Sequence, residues 1–145
     1  PYHRFMVEQF VPGMSLTVGV LELDGKLRCL PPLESETERE FYDYTAKHDP
    51  AQRIQHCPVP LDEAALDRLE ATALRVHELV GAHGVSRVDF IRAPDGRTPV
   101  LEINTGPGLA HMGNLATMAQ VGGISYEKLM VALLETAFTK TAYVP

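Results

Sequence analysis

Metal-binding histidine spacings are missing from this sequence. Its six histidines include no HExxH or HxxxH pair, so a histidine zinc site is not expected. Cysteine is scarce. Cys29 and Cys57 form no CxxC pair, and two isolated thiols read as reduced and cytosolic. Long apolar runs are lacking too. Residues 129–134 are among the longest, so no membrane span is expected, and no signal-peptide pattern is present. Nor is there a basic excess. With 13 Lys and Arg against 19 Asp and Glu, the net charge is −6. Binding nucleic acid through a broad basic face needs clustered cations, so no nucleic-acid partner is expected. A nucleotide is not excluded, because Mg²⁺ and one or two lysines can meet its charge.

What is present suits one domain of 145 residues, 45% apolar and 22% charged. Residues 5–11 are β-branched and aromatic and end at Pro12-Gly13, which predicts a strand and a turn. A strand-like run so close to Pro1 suggests that sequence precedes it. Residues 16–23 alternate, with Leu16, Val18, Val20 and Glu22 on one face and Thr17, Gly19, Leu21 and Leu23 on the other. Asp24-Gly25 predicts a two-residue hairpin into residues 26–30, stopped by Pro31-Pro32.

Residues 33–60 hold few apolar side chains beyond Phe41, Tyr42 and Tyr44. They predict a long connection, mobile or functional. Residues 61–80 predict a helix capped by Asp62, with Leu66, Leu69, Ala73, Val76 and Val80 as its apolar stripe. Residues 86–92 and 98–104 read as strands joined around Asp95-Gly96. A short helix over 115–120 and a last one capped by Ser125 follow. Hairpin, loop, helix, hairpin and helices make an α+β domain with no internal repeat.

The chemistry concentrates between Arg87 and Asn104. If Asp95-Gly96 are the centre of a two-residue turn, Asp89 lies opposite Glu102 and Arg87 opposite Asn104, all on one face. Val88, Phe90, Leu101 and Ile103 then form the opposite, apolar face. Two carboxylates about 5 Å apart repel by roughly 3 kcal/mol at an effective dielectric near 20. A cation between them is called for. Arg87 is one choice and a metal is the other. Asp, Glu and Asn oxygens suit Mg²⁺, which takes one or two protein carboxylates and fills its shell with water and phosphate. The plainer alternative is a solvated hairpin face with a surface salt bridge. Thr105-Gly-Pro-Gly108 follows. Its glycines allow close backbone approach, and its N–H groups could steady an oxyanion together with Arg87; an ordinary turn is the alternative.

Three blocks carry a resemblance. They are Val7-Glu-Gln-Phe-Val-Pro-Gly13 with Leu16-Thr-Val, Phe41-Tyr-Asp-Tyr-Thr-Ala-Lys47, and Arg87-Val-Asp-Phe with Leu101-Glu-Ile-Asn-Thr-Gly-Pro-Gly108. In this order they resemble the D-alanine–D-alanine ligase family of the ATP-grasp superfamily, over almost the whole chain. The resemblance implies the C-terminal part of an ATP-grasp domain across residues 1–145, a mainly antiparallel sheet with flanking helices. It also implies that an N-terminal substrate domain and a glycine-loop lobe are absent from the chain.

The family's reaction forms an acyl phosphate from ATP and one amino acid, then joins a second to give D-alanyl-D-alanine for peptidoglycan. By the resemblance, Asp89, Glu102 and Asn104 hold two Mg²⁺ ions, or Mn²⁺ in their place. Arg87 and the Gly108 N–H stabilise the acyl phosphate and tetrahedral intermediate. Lys47 reaches the phosphates from the loop at 33–60. Phe41 and Leu101 flank adenine, and Glu8, Gln9, Phe10 and Val11 meet its edge, with Glu102 also on the ATP side. The implied partners are small amino acids and ATP, with a homodimer of the full-length protein as a further option. The implied compartment is the cytoplasm.

The match departs at three places. Ser15 stands where the family has Glu for the ribose, and His48 where it has Tyr after the loop lysine. The stretch around Gly113 lacks a Ser that holds the second substrate's carboxylate. Either Asn114 substitutes as donor at Gly113-Asn114, or the acceptor is not D-alanine. A ligase for other amino or hydroxy acids, in specialised biosynthesis or resistance, is therefore the alternative within the class. A non-catalytic remnant of the fold is the alternative outside it. Lacking the family's first half, this chain alone is expected to form no dipeptide.

Overall fold

A computed structural model of the protein describes residues 5–37 and 53–140. The alternation from Leu16 onward becomes β1 (Met14–Leu23). The Asp24-Gly25 turn, with φ of 52° and 70°, returns the chain as β2 (Lys26–Cys29). Two positive φ values in a two-residue loop match the twist of the flanking strands. Next come β3 (Leu33–Thr37), β4 (Arg53–His56), α1 (Glu63–Leu79), β5 (Val85–Arg92), β6 (Val100–Asn104), α2 (Asn114–Val121) and α3 (Tyr126–Thr139). The six strands form one sheet in the order β4-β3-β1-β5-β6. The pairs are antiparallel, and β2 shares the β3 edge of β1.

Period-two alternation along β1 sends its side chains into two cores. Leu16, Val18 and Val20 meet Val88, Phe90, Leu69 and Ala73 under α1. Leu21 meets Leu30, Leu33, Leu115, Met118 and Leu129 under α2 and α3. Each such fully buried apolar side chain contributes about 1.5–3 kcal/mol relative to exposure.

Three expectations change. Residues 5–11 form no strand, because no described strand pairs with them; Phe5, Met6 and Val7 are more than four-fifths exposed. The connection at 33–60 contains β3 and β4. Their polar composition hid them: Glu34 and Ser35 are buried, and Glu34 accepts from Arg92 Nη1 at 3.2 Å. The stripe of α1 ends on buried His77, while Val80 lies exposed beyond the helix.

His77 Nδ1 lies 2.8 Å from Ser86 Oγ, and both residues are buried. Burial holds its imidazole below the ordinary value near 6.5. His83 adds to this, while Glu22, Glu78 and the Ala82 backbone oppose it. The unfolded chain therefore binds this proton at a pH where the native chain refuses it. Stability is expected to fall as pH drops from about 7 towards 5. Urea midpoints at both ends of that window, compared with His77→Gln, check this; the variant's loss should be the smaller.

Asp62 caps α1 by accepting from Ala65 N at 2.8 Å. Asp62→Ala should cost about 1 kcal/mol, read as a lower urea midpoint.

Candidate functional site

β1, β5 and β6 lie side by side, so their register decides which side chains share a face. Thr17 pairs with Asp89 and Asp89 with Glu102; one row on, Gly19 pairs with Arg87 and Arg87 with Asn104. Thr17, Arg87, Asp89, Glu102 and Asn104 therefore occupy the face that also carries α2 and α3. Helix α2 seats over Gly19. A Cβ there would come 2.9 Å from Leu30 Cδ1 and 3.2 Å from both Leu115 Cδ1 and Met118 Cε.

The expected register at these rows is present, though its premise is not. Ala93 N donates to Arg97 O and Gly96 N to Ala93 O, so the loop is Pro94-Asp95-Gly96, with Gly96 at φ 84°. That extra residue shifts the ladder, and Phe90 pairs with Val100. Leu101 then bulges out of register, and Asp89 returns to Glu102. The bulge also corrects the expectation for Leu101. It does not join Val88, Phe90 and Ile103 on the apolar face but is 56% exposed. It lines a cleft of about 460 Å³ with Glu8, Gln9, Phe10, Val11, Ile91, Pro99 and Val100.

Arg87 holds Asp89 with two prongs. Nη2 donates to Oδ2 at 2.7 Å and Nε to Oδ1 at 2.9 Å, with both side chains about six-sevenths buried. Thr17 Oγ1 donates to the same carboxylate from β1. The cation facing Asp89 is thus Arg87, in a sheltered fork and not a solvated surface pair. Thr17 was not singled out from sequence, since only the β1–β5 register brings it there.

Glu102 is exposed, and its carboxylate has no hydrogen bond or ion pair among the described residues. Asn104 Oδ1 accepts from Gly106 N at 3.0 Å. With Asp89 neutralised, Glu102 leaves the face one net negative charge and uncommitted oxygen lone pairs, a donor set that fits a hard divalent cation. No group of three or more His, Cys, Asp or Glu able to hold a metal exists among the described residues. An ion here would need water or a ligand's oxygens as well.

The glycine loop lies after β6. A Cβ at Gly106 or Gly108 would meet nothing within 4 Å, and neither glycine has positive φ. Packing and backbone conformation therefore do not explain these glycines, and the space beside them is open. The loop is tied down further along. Tyr126 Oη donates to Leu109 O at 2.8 Å, and the His111 ring lies 4.5 Å from that of Tyr126. Tyr126→Phe should speed hydrogen exchange at residues 109–113 by about fivefold while costing about 1 kcal/mol or less. Unchanged exchange there would show that the hydroxyl does not hold the loop.

Gly113 precedes α2, and Asn114 opens it. Phe41 and Lys47 lie outside the described residues, as does most of the loop expected at 33–60. Cys29 and Cys57 are free thiols. Burial, then Glu70, pushes Cys29 up to about 12, and burial raises Cys57, so neither is an activated nucleophile.

The chain is similar in sequence and fold to known proteins. A family model described as the D-ala D-ala ligase C-terminus matches residues 2–135. The D-alanine–D-alanine ligase of Pseudothermotoga lettingae is 38% identical over 136 residues, covering 94% of this chain and 45% of that protein. That of Herminiimonas arsenicoxydans is 40% identical, covering 93% and 41%. Among solved structures, D-alanine–D-alanine ligase from Bacillus anthracis complexed with ATP superposes with a TM-score of 0.73 at 30% identity, covering 91% of this chain and 42% of that one. VanG D-Ala:D-Ser ligase from Enterococcus faecalis gives 0.71 at 26% identity, covering 88% and 37%. The chain spans less than half the length of the curated relatives it matches.

Proposed function

The chain belongs to the D-alanine–D-alanine ligase C-terminal family, and on that premise we propose that it carries the nucleotide- and metal-facing half of an ATP-dependent ligase joining two D-alanines through an acyl phosphate. One juxtaposition carries this reading. The uncommitted Glu102, the Arg87–Asp89 fork and Asn104 share a face, and the residue before Glu102 in β6, Leu101, lines the apolar cleft with Glu8, Gln9, Phe10 and Val11. A nucleotide needs an apolar slot for its base next to a charged place for its phosphates, and Leu101 and Glu102 turn one strand to both. The B. anthracis relative, solved with ATP, supports the same assignment.

In this reading Glu8, Gln9, Phe10 and Val11 meet the adenine edge, and Leu101 covers the ring with Phe41. Asp89, Glu102 and Asn104 would hold Mg²⁺, whose charge offsets that of the phosphates. Asp89 fixes the plane of the Arg87 guanidinium, whose charge would stabilise the acyl phosphate. The N–H of Gly108 donates to the tetrahedral oxyanion from a loop with no side chain in the way. Lys47 closes on the phosphates. The portions of the relatives outside the matched region would bind the first amino acid and cover the triphosphate. An ATP-consuming ligase of this kind works in the cytoplasm.

A second reading keeps the chemistry and changes the acceptor. Gly113, in a stretch that lacks the family's serine, favours it, and the likeness to a D-Ala:D-Ser ligase fits it. Calorimetry of ADP binding with and without Mg²⁺ tests the primary reading. Mg²⁺-dependent binding supports it, and a folded chain that binds ADP equally with and without Mg²⁺ contradicts it.

A further inference from the structure

Gln55 of β4 and Asn114 at the start of α2 are 59 positions apart and share a hydrogen bond, Gln55 Nε2 donating to Asn114 Oδ1 at 3.1 Å. Both side chains are partly buried. Engaging Oδ1 turns the other end of the amide, Nδ2, away from Gln55. Nδ2 has no side-chain hydrogen bond among the described residues and is not a sealed, unsatisfied atom, so it is open to a ligand. The surroundings are those of the glycine loop. A Cβ at Gly113 would lie 3.7 Å from Gly108 O, and Gly113 gives α2 no side-chain cap.

We infer that Gln55 is a positioning residue that locks the Asn114 amide with its N–H₂ outward, making this corner selective for an acceptor with a free α-carboxylate. This rests on the ligase reading above and names a determinant of its acceptor. A free asparagine amide can present either its carbonyl or its N–H₂, and a serine hydroxyl both donates and accepts. With Oδ1 engaged by Gln55, Asn114 presents its N–H₂ as the donor on the side away from Gln55. Such a donor prefers an anionic oxygen, because charge-assisted hydrogen bonds are roughly twice as strong as neutral ones.

Gln55→Glu reverses the lock. A carboxylate at 55 accepts from Asn114, turns its N–H₂ inward and exposes its carbonyl to the substrate, with a negative charge behind it. Gln55→Met keeps the length and removes the lock without imposing the wrong orientation.

The test is NMR on the ¹⁵N-labelled chain with Mg²⁺ and ADP, following the side-chain N–H₂ signals of Asn114 and Gln55 during titration with D-alanyl-D-alanine. D-alanyl-D-alaninamide is the uncharged control. The expected result is a saturating shift of the Asn114 N–H₂ with the free acid and at least about tenfold weaker response to the amide. Gln55→Glu should lose about tenfold in affinity and Gln55→Met only a few-fold, with ADP affinity unchanged in both. If ADP moves Val11 and Leu101 but the acid leaves Asn114 unmoved, or all three proteins bind the acid alike, this inference falls while the ligase reading stands. If ADP itself moves nothing at Val11 and Leu101, the ligase reading falls and takes this inference with it.

Discussion

Glu102→Gln should abolish most of the Mg²⁺-dependent part of ADP binding while leaving the fold intact. Glu102 is exposed and has no side-chain partner among the described residues, so its carboxylate contributes no native contact. Exposed substitutions of this kind change stability by about 0.5 kcal/mol or less. A divalent cation and a unit charge about 4 Å apart attract by about 2 kcal/mol even at the dielectric of water, a factor of about 30 in affinity. The variant should therefore keep its urea midpoint, and calorimetry should show Mg²⁺ no longer strengthening ADP binding. Full Mg²⁺ dependence in the variant would remove Glu102 from the site. An unfolded variant would contradict its solvent-exposed, unpartnered state.

Phe90→Ala should do the reverse, damaging the fold beneath the site. Phe90 is fully buried, pairs across the sheet with Leu16, and belongs to the core under α1. Removing a buried ring costs about 3–5 kcal/mol, against a total stability of about 5–15 kcal/mol for a domain. Urea unfolding should show a midpoint lowered by about a fifth or more at unchanged slope. Because Asp89 and the Leu101 bulge flank Phe90, nucleotide binding should weaken in proportion to unfolding and not beyond it. A loss of less than about 1 kcal/mol would mean that the ring is not packed as described.

Much of this was legible in the residues because the informative parts are local. Alternation along 16–23 assigned both faces of β1, and Asp24-Gly25 and Asp95-Gly96 marked both hairpins. The site rows were readable because strand side chains repeat every second residue. Leu101 was misassigned because the three-residue loop and the bulge cancel. The pairing of Asp89 with Glu102 looks the same with both irregularities as with neither, but the residue between changes sides. β3 stayed hidden because its burial depends on Arg92, a partner 58 residues away from Glu34. Residues 5–11 misled in the other direction, since strand propensity makes no strand without a neighbour to pair with. Thr17 and Gln55 are invisible for the same reason as β3: each acts through one hydrogen bond to a residue distant in sequence.

The central claim is that one face of the sheet receives a metal-bound nucleotide. The most direct measurement is paramagnetic broadening in the ¹⁵N-labelled chain with ADP when Mn²⁺ replaces Mg²⁺. Signals of Asp89, Glu102, Asn104, Gly106 and Gly108 should vanish first, while Leu69, Ala73 and His77 on the opposite helix stay sharp. Broadening centred on α1, or spread evenly over the chain, would contradict it.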